Sequence, residues 1–290
     1  MFKYAVNTNG LKKLSVAEIV KQTKALKLDG IEWGLPAFER AKDVIGEMAQ
    51  RTRDDGLDVT GYINGGKMWK RDEIKRWAEL IASVKGRSLR VTHPWIAWNY
   101  EESLHQERSY PEIFKLVRDN MPYLMELGRE YGIRFVMEMH SGALTSSALA
   151  AVNVMSGFDS KYIGVIYDPA NTVIEGNLRP RSEVEVLGDY LGYVHAKNVM
   201  CAFSGEFLEQ PLPRAKWEFK VCKLPYGIVD YLEVCYALKL VSYQGWISME
   251  EFFHDGEASA GELRDGLAFL KACEAHAPDK PQPPFTHFND

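Results

Sequence analysis

The stretch Ile133-Arg134-Phe135-Val136-Met137-Glu138-Met139-His140 decides the fold. It is a short apolar run that ends on two residues, Glu138 and His140, able to bind a metal or move a proton. A long segment of helical period precedes it. Ile113, Leu116, Val117, Leu124, Leu127 and Tyr131 fall on one face, and Gly132 stands where a C-cap glycine would. The same rhythm recurs along the chain, with candidate strands at 3–9, 30–34, 58–64, 88–93, 133–140, 163–168, 192–197 and 245–250. Eight strands separated by helices predict an α/β fold with a wound parallel sheet, and a closed (β/α)8 barrel is its simplest form.

Length agrees, because such a barrel needs roughly 250 residues and the chain has 290. The whole span 1–290 reads as a single domain, with an extended tail from about 278, where Pro278, Pro281, Pro283 and Pro284 crowd together. Ser15 and Glu18 have capping-box spacing, and Ile19, Val20, Thr23 and Leu26 follow on one face. Leu263, Leu267 and Leu270 repeat the pattern near the end. Each helix therefore offers one apolar stripe and one charged face, as an outer ring requires.

Two connections are long and aromatic. Residues 94–110 carry Trp95 and Trp98, and residues 199–225 carry Phe203, Phe207, Trp217 and Phe219. Both follow strands and so belong to the catalytic face of a barrel. They are expected to cover the pocket or meet a second subunit, and 216–223 alternates enough for a short hairpin arm. A net charge of −5 argues against a nucleic-acid or anionic-membrane surface. No apolar run approaches the ~20 residues of a membrane span, and the N-terminus MFKYAVNTNG lacks the pattern of a signal peptide. Cys201, Cys222, Cys235 and Cys273 form no C-x-x-C pair and read as reduced thiols. The cytoplasm is the expected location.

Four consecutive strands finish on a metal-binding residue: Glu138, Asp168, His195 and Glu250. Inward side chains of neighbouring strands converge at a barrel mouth, where three carboxylates repel one another without a cation. Singly, each has an ordinary explanation: a helix cap for Asp168 before Pro169, a core histidine for His195, a solvated pair for Glu250-Glu251. Four on four successive strands point instead to one divalent ion. The oxygen-rich donor set suits Mn²⁺ first, with Mg²⁺, Co²⁺ or Zn²⁺ as alternatives. Strand parity adds His140, Lys197 and Ser248, each two residues from a ligand and on its face. Glu32 and His93 are further candidates to bind substrate hydroxyls. Trp33, Trp69, Trp95 and Trp98 are candidates to wall a sugar pocket. Gly65-Gly66-Lys67 is a weak phosphate-loop signal and reads better as a turn.

These residues resemble the xylose isomerase-like TIM barrel superfamily of sugar isomerases and epimerases, which also includes inosose dehydratases and class II apurinic endonucleases. The resemblance runs from about Phe2 to Cys273. It is carried by Asp29-Gly30-Ile31-Glu32-Trp33-Gly34, Glu138-Met139-His140, Asp168-Pro169-Ala170-Asn171, His195-Ala196-Lys197-Asn198 and Ser248-Met249-Glu250. It implies one metal on Glu138, Asp168, His195 and Glu250, and proton transfer beside a carbonyl through an enediolate. Glu138 and Glu250 would be the acid/base pair. Asn171, with His140, Lys197, His93, Glu32 and Trp33, would contact a small sugar or polyol substrate, and a homo-oligomer is expected.

The departures are Asn171 where many ketose epimerases have His, Cys201 where they have Arg, and Asn198 in place of Asp. They point away from a ketose 3-epimerase specifically. The endonuclease reading needs three zinc ions and more histidines than the early strands hold, where His93 stands alone. A keto-sugar or inosose dehydratase and a non-catalytic metal-binding subunit are the alternatives.

Overall fold

The computed structural model describes residues 1–92, 94–97, 103–176, 179–252 and 259–280. Its strands and helices alternate in chain order: β1 Lys3–Asn7, α1 Val16–Ala25, β2 Gly30–Gly34, α2 Phe38–Asp54, β3 Asp58–Gly65, α3 Arg71–Ser83, β4 Ser88–Val91, α4 Tyr110–Tyr131, β5 Arg134–Glu138, α5 Ala148–Met155, β6 Ile163–Tyr167, α6 Pro169–Ile174, α7 Pro180–Leu187 and β7 Leu191–Ala196. Then follow β8 Asn198–Leu208, β9 Arg214–Cys222, α8 Tyr231–Leu240, β10 Trp246–Met249 and α9 Ser259–His276. The strands close into a barrel in the order β1-β10-β7-β6-β5-β4-β3-β2, every neighbour parallel. This is a (β/α)8 barrel, as the alternation predicts.

The local signals act where the sequence puts them. Ser15 and Glu18 form a reciprocal capping box on α1. A second box, Ser109 with Glu112, opens α4, which Gly132 ends in the left-handed region at φ 69°. The larger core lies between strands and helices. A small separate cluster of Val136, Ile166 and Tyr193 fills the barrel interior. Glycine lets backbone and bulk approach there: a Cβ on Gly164 would stand 2.8 Å from the Arg134 guanidinium.

Several strands end one or two residues earlier than the apolar runs suggest. Asn9, His140, Asp168, Lys197 and Glu250 all lie just past the ladder, because their backbones turn into the loops at the C-terminal rim of the barrel. The connection after β7 differs more. Instead of a loop with a short arm over 216–223, β8 and β9 form one long antiparallel hairpin, with Phe203 opposite Trp217 and Cys201 opposite Phe219. Its two faces differ in kind. Phe203, Phe207 and Trp217 contact one another on one face, while Lys216 bridges Glu206 and Glu218. Among the described residues the four cysteines are free thiols, and no helix is long and apolar enough to cross a membrane.

Candidate metal centre and active site

Glu138, Asp168, His195 and Glu250 converge from β5, β6, β7 and β10. All four are buried, and one ligand atom from each lies within 4.8 Å of the others. Bonds from hard cations to oxygen run from about 2.0 to 2.6 Å, so ligands on opposite sides of one ion stand at about twice that. The spacing therefore fits a single ion, and three carboxylates with one imidazole fit a divalent one.

Each ligand is aimed by its surroundings. Asp168 caps α6: its Oδ1 accepts from Ala170 N at 3.0 Å and Asn171 N at 3.1 Å, which leaves Oδ2 toward the centre. The cap and the ligand are the same residue. Asn171 Nδ2 donates to that Oδ2 at 2.7 Å and to Glu138 Oε1 at 3.3 Å. It thus steadies ligands from the side. Thr145 Oγ1 donates to the Glu138 carbonyl and fixes the end of β5.

His195 presents Nδ1 to Glu138 at 3.3 Å and Glu250 at 3.2 Å, while Nε2 lies 3.0 Å from Glu32 Oε1. A carboxylate behind a ligating imidazole fixes its tautomer and ring orientation. Glu32 is fully buried and also accepts from Asn7 Nδ2 at 2.9 Å, Ser248 Oγ at 2.6 Å and the Tyr193 hydroxyl. It holds the metal side chain from behind and does not line the cleft. Trp33 is a correction: it lies at 1% exposure in the outer core, donating Nε1 to Thr52 Oγ1 at 3.0 Å. Successive strand residues point oppositely, so an inward Glu32 sends Trp33 outward.

The chain brings cations of its own to the cluster. Lys197 Nζ lies 2.6 Å from Asp168, 3.0 Å from Glu250 and 3.9 Å from Glu138. Arg90 pairs with Glu138 Oε2 and donates to Asn64 at 2.9 Å. Burial would push the Glu138 carboxyl up, but Arg90, His195 and Lys197 outweigh it and hold it well below the usual carboxylate range. Burial dominates at Asp168, with Glu138 and Glu250 adding repulsion, and pushes it up to about 7 despite Lys197. Burial opposes protonation of His195 and is overcome by Glu250, Glu32 and Glu138.

Above the ligands opens a cleft of about 360 Å³, walled by Asn9, Asn64, Arg90, Trp95, His140 and Lys197. Trp95 packs edge-on against His140 with ring centroids 4.9 Å apart, so the loop after β4 does cover the pocket at that point. His93 and Trp98 lie outside the described residues. Trp69 packs against the core. In the hairpin, Phe203 and Trp217 are 41% and 64% exposed, and their rings pair with each other.

Arg90, Asn7 and Tyr193 are site residues that the sequence reading missed. Arg90 is in register with Val136, whose side chain fills the barrel interior, so it projects inward as well. Tyr193 sits two residues before His195, and parity alone points it inward. Asn198 proves to be a loop pin. Its Nδ2 donates to the Leu224 and Val229 carbonyls, and its Oδ1 accepts from Val229 N.

No curated protein matches the sequence closely enough to count as a relative. Solved structures do match the fold. The 3-keto-D-glucoside 4-epimerase of E. coli aligns over 94% of this chain and 100% of its own at 20% identity, with a TM-score of 0.73. A probable 3-DHS dehydratase from Bacillus anthracis aligns over 93% and 99% at 16% identity, with a TM-score of 0.71. The D-psicose 3-epimerase of Clostridium cellulolyticum aligns over 94% and 99% at 13% identity, also at 0.71. The sequence itself matches the family profile over residues 20–273, and the chain belongs to the xylose isomerase-like TIM barrel family.

Proposed function

We propose that this protein is a metal-dependent isomerase or epimerase of a keto sugar or polyol ketone, working by proton transfer through an enediolate. The carrying observation is the convergence of Glu138, Asp168, His195 and Glu250, within 4.8 Å, beneath a polar cleft. These residues would hold one divalent ion, Mn²⁺ by the chemistry of the donors. When bound, such an ion polarises a carbonyl and offsets the charge that develops on its oxygen.

The chain's own groups do the rest. Glu138 and Glu250 come from β5 and β10, strands that β6 and β7 separate. They flank the centre from different sides. One, ionised, removes the proton beside the carbonyl, and the other, protonated, delivers its own proton to the opposite face or to the neighbouring carbon. Asn7 Nδ2 holds Glu250 Oε1 at 3.0 Å. His140 and Trp95 wall the cleft and orient hydroxyls.

A lyase is the second reading. Lys197 and His140 line the same cleft and could protonate a departing hydroxide, which would turn the same enolisation into dehydration. The similarity to epimerases and to a dehydratase supports this choice of classes. We also propose that the exposed aromatic face of the β8–β9 hairpin meets a second copy of the chain.

Two measurements test the enzyme reading. Chelator-stripped protein titrated with Mn²⁺ should show about one site per chain. A panel of keto sugars in deuterated water should reveal solvent exchange beside the carbonyl. Exchange without loss of water supports the isomerase, and loss of water supports the lyase. No reaction with any of them sinks both and leaves a binding protein. Glu138→Gln and Glu250→Gln keep a metal-binding oxygen and remove the base, so each should cut exchange by about 10²-fold or more. A variant that still binds Mn²⁺ and exchanges at the wild-type rate is not part of the acid/base pair.

A further inference from the structure

We propose that the substrate is larger than a single sugar: a keto sugar carrying a second, uncharged and hydroxyl-rich group, a glycosyl ring, which lies in a hollow beside the cleft. This inference rests on the reading of the cleft as the seat of the reacting ketone.

The hollow has a volume of about 780 Å³, against about 360 Å³ for the cleft, and opens between the first turns of α2 and α3. Asn64 and Thr92 line both spaces and form the ridge between them. The ridge is tied down. Asn64 Nδ2 donates to Asn9 Oδ1 at 3.2 Å and to the Leu35 carbonyl at 3.3 Å, and its Oδ1 accepts from Arg90 at 2.9 Å. Thr92 donates from Oγ1 to the Gly65 carbonyl at 3.2 Å and from its backbone N–H to the Gly66 carbonyl at 3.1 Å. A ligand seated at the centre reaches the hollow by passing over Asn64, with no side chain moved.

The walls are fixed as well. Arg76 of α3 pairs with Glu39 of α2 at 2.8 Å and lies 4.1 Å from the centre of the Phe38 ring. Phe38 meets Trp77 edge-on, with centroids 4.9 Å apart. Glu73 Oε1 accepts from Lys67 N at 3.1 Å and fills the space beside Gly66, where a Cβ would stand 2.4 Å from it. The Gly65-Gly66-Lys67 turn is thereby bound to α3 and walls a built space.

The lining gives the class of the occupant. Lys67, Lys70 and Arg71 share one surface with Asp72 and Glu73. A hydroxyl both donates and accepts, so it finds a partner in either kind. A phosphate or carboxylate meets repulsion from the acids as well as attraction from the bases, and gains less. An apolar group would strip water from the charges and replace none of their hydrogen bonds. Small-molecule sites span roughly 300–1,000 Å³. By that measure the hollow holds a ring of its own while the cleft keeps the reacting one.

The test is calorimetry on Mn²⁺-loaded protein. The ligands are D-fructose, D-fructose 6-phosphate and three disaccharides in which fructose carries a glycosyl group at a different hydroxyl: turanose, lactulose and isomaltulose. At least one disaccharide should bind about tenfold or more tighter than D-fructose, a gain that two or three added hydroxyl contacts supply. Ala37 is an exposed residue of the hollow that the cleft does not share. Ala37→Trp fills the hollow and should bring that ratio close to one. Ala37→Gly leaves the space open and should keep it.

The proposal is overturned if no disaccharide binds tighter than D-fructose, or if the phosphate ester binds tightest of the five. It is equally overturned if the preference survives Ala37→Trp or is lost in Ala37→Gly. A chain that binds D-fructose with no preference for the disaccharides loses the hollow and keeps the reading of the cleft. Should the wild-type chain not bind Mn²⁺ in the preceding titration, the metal reading itself fails, which is a separate and earlier result.

Discussion

At the scale of single side chains, the Glu32 carboxylate accepts from Asn7, Tyr193 and Ser248 and abuts His195 Nε2 at 3.0 Å. Its removal should therefore be felt by the ion it never touches. Glu32→Gln is expected to weaken Mn²⁺ binding by about 10–100-fold, the usual effect of losing such a partner. Calorimetry checks this, and an unchanged affinity would show that Glu32 serves only the packing of the barrel. The convergence of Glu138, Asp168, His195 and Glu250 was legible in the sequence because each ends a strand, and parity carries the same face two residues onward. Arg90 was not, since an arginine in so short a strand as Ser88–Val91 reads as a surface charge. The signal was there: a parallel barrel strand is covered on both faces, so a charge inside one must point to the interior.

At the scale of elements, α7 carries a buried charge that bears on stability. Glu183 is 1% exposed, with Thr172 Oγ1 at 3.1 Å from its Oε2. Burial pushes its pKa up to about 7, against the pull of Tyr167 and Thr172. The folded chain therefore binds this proton more tightly than the unfolded one. The contribution is full below about pH 4.5 and is lost as pH rises through about 7, amounting to about 3 kcal/mol at most. Glu183→Gln should match the wild type in urea unfolding near pH 4.5 and be the more stable protein at pH 8. A wild-type advantage that persists at pH 8 would contradict this. The barrel strands and the α1 and α4 caps were readable because local chemistry fixes them. The hairpin was readable only in part: its alternation stands out over 216–223 but fades around Gly205, where the register shifts, and in the Pro211-Leu212-Pro213 turn.

On the scale of the whole molecule, exposed aromatic side chains gather on one face of that hairpin, with Phe207 at 70% and Trp217 at 64%. Patches of this kind mark association sites. The wild-type chain should sediment at a multiple of 33.0 kDa, and Phe203→Ser with Trp217→Ser should shift it toward a single chain. Each substitution should cost a lone chain no more than about 0.5 kcal/mol, because neither side chain is buried within it. A wild type that already sediments as one chain would refute the assignment.

The hairpin has a mechanical consequence as well. β8 begins at Asn198, one residue beyond Lys197, and its eleven residues span about 35 Å. Asn198 is tied to Leu224 and Val229, and the Tyr231 hydroxyl holds the Lys197 carbonyl at 2.6 Å. The hairpin is thus a lever with its fulcrum beside the C-terminal rim of the barrel. A load taken at the tip bears as torque on Asn198, and from there the backbone of Lys197 is a single peptide unit away.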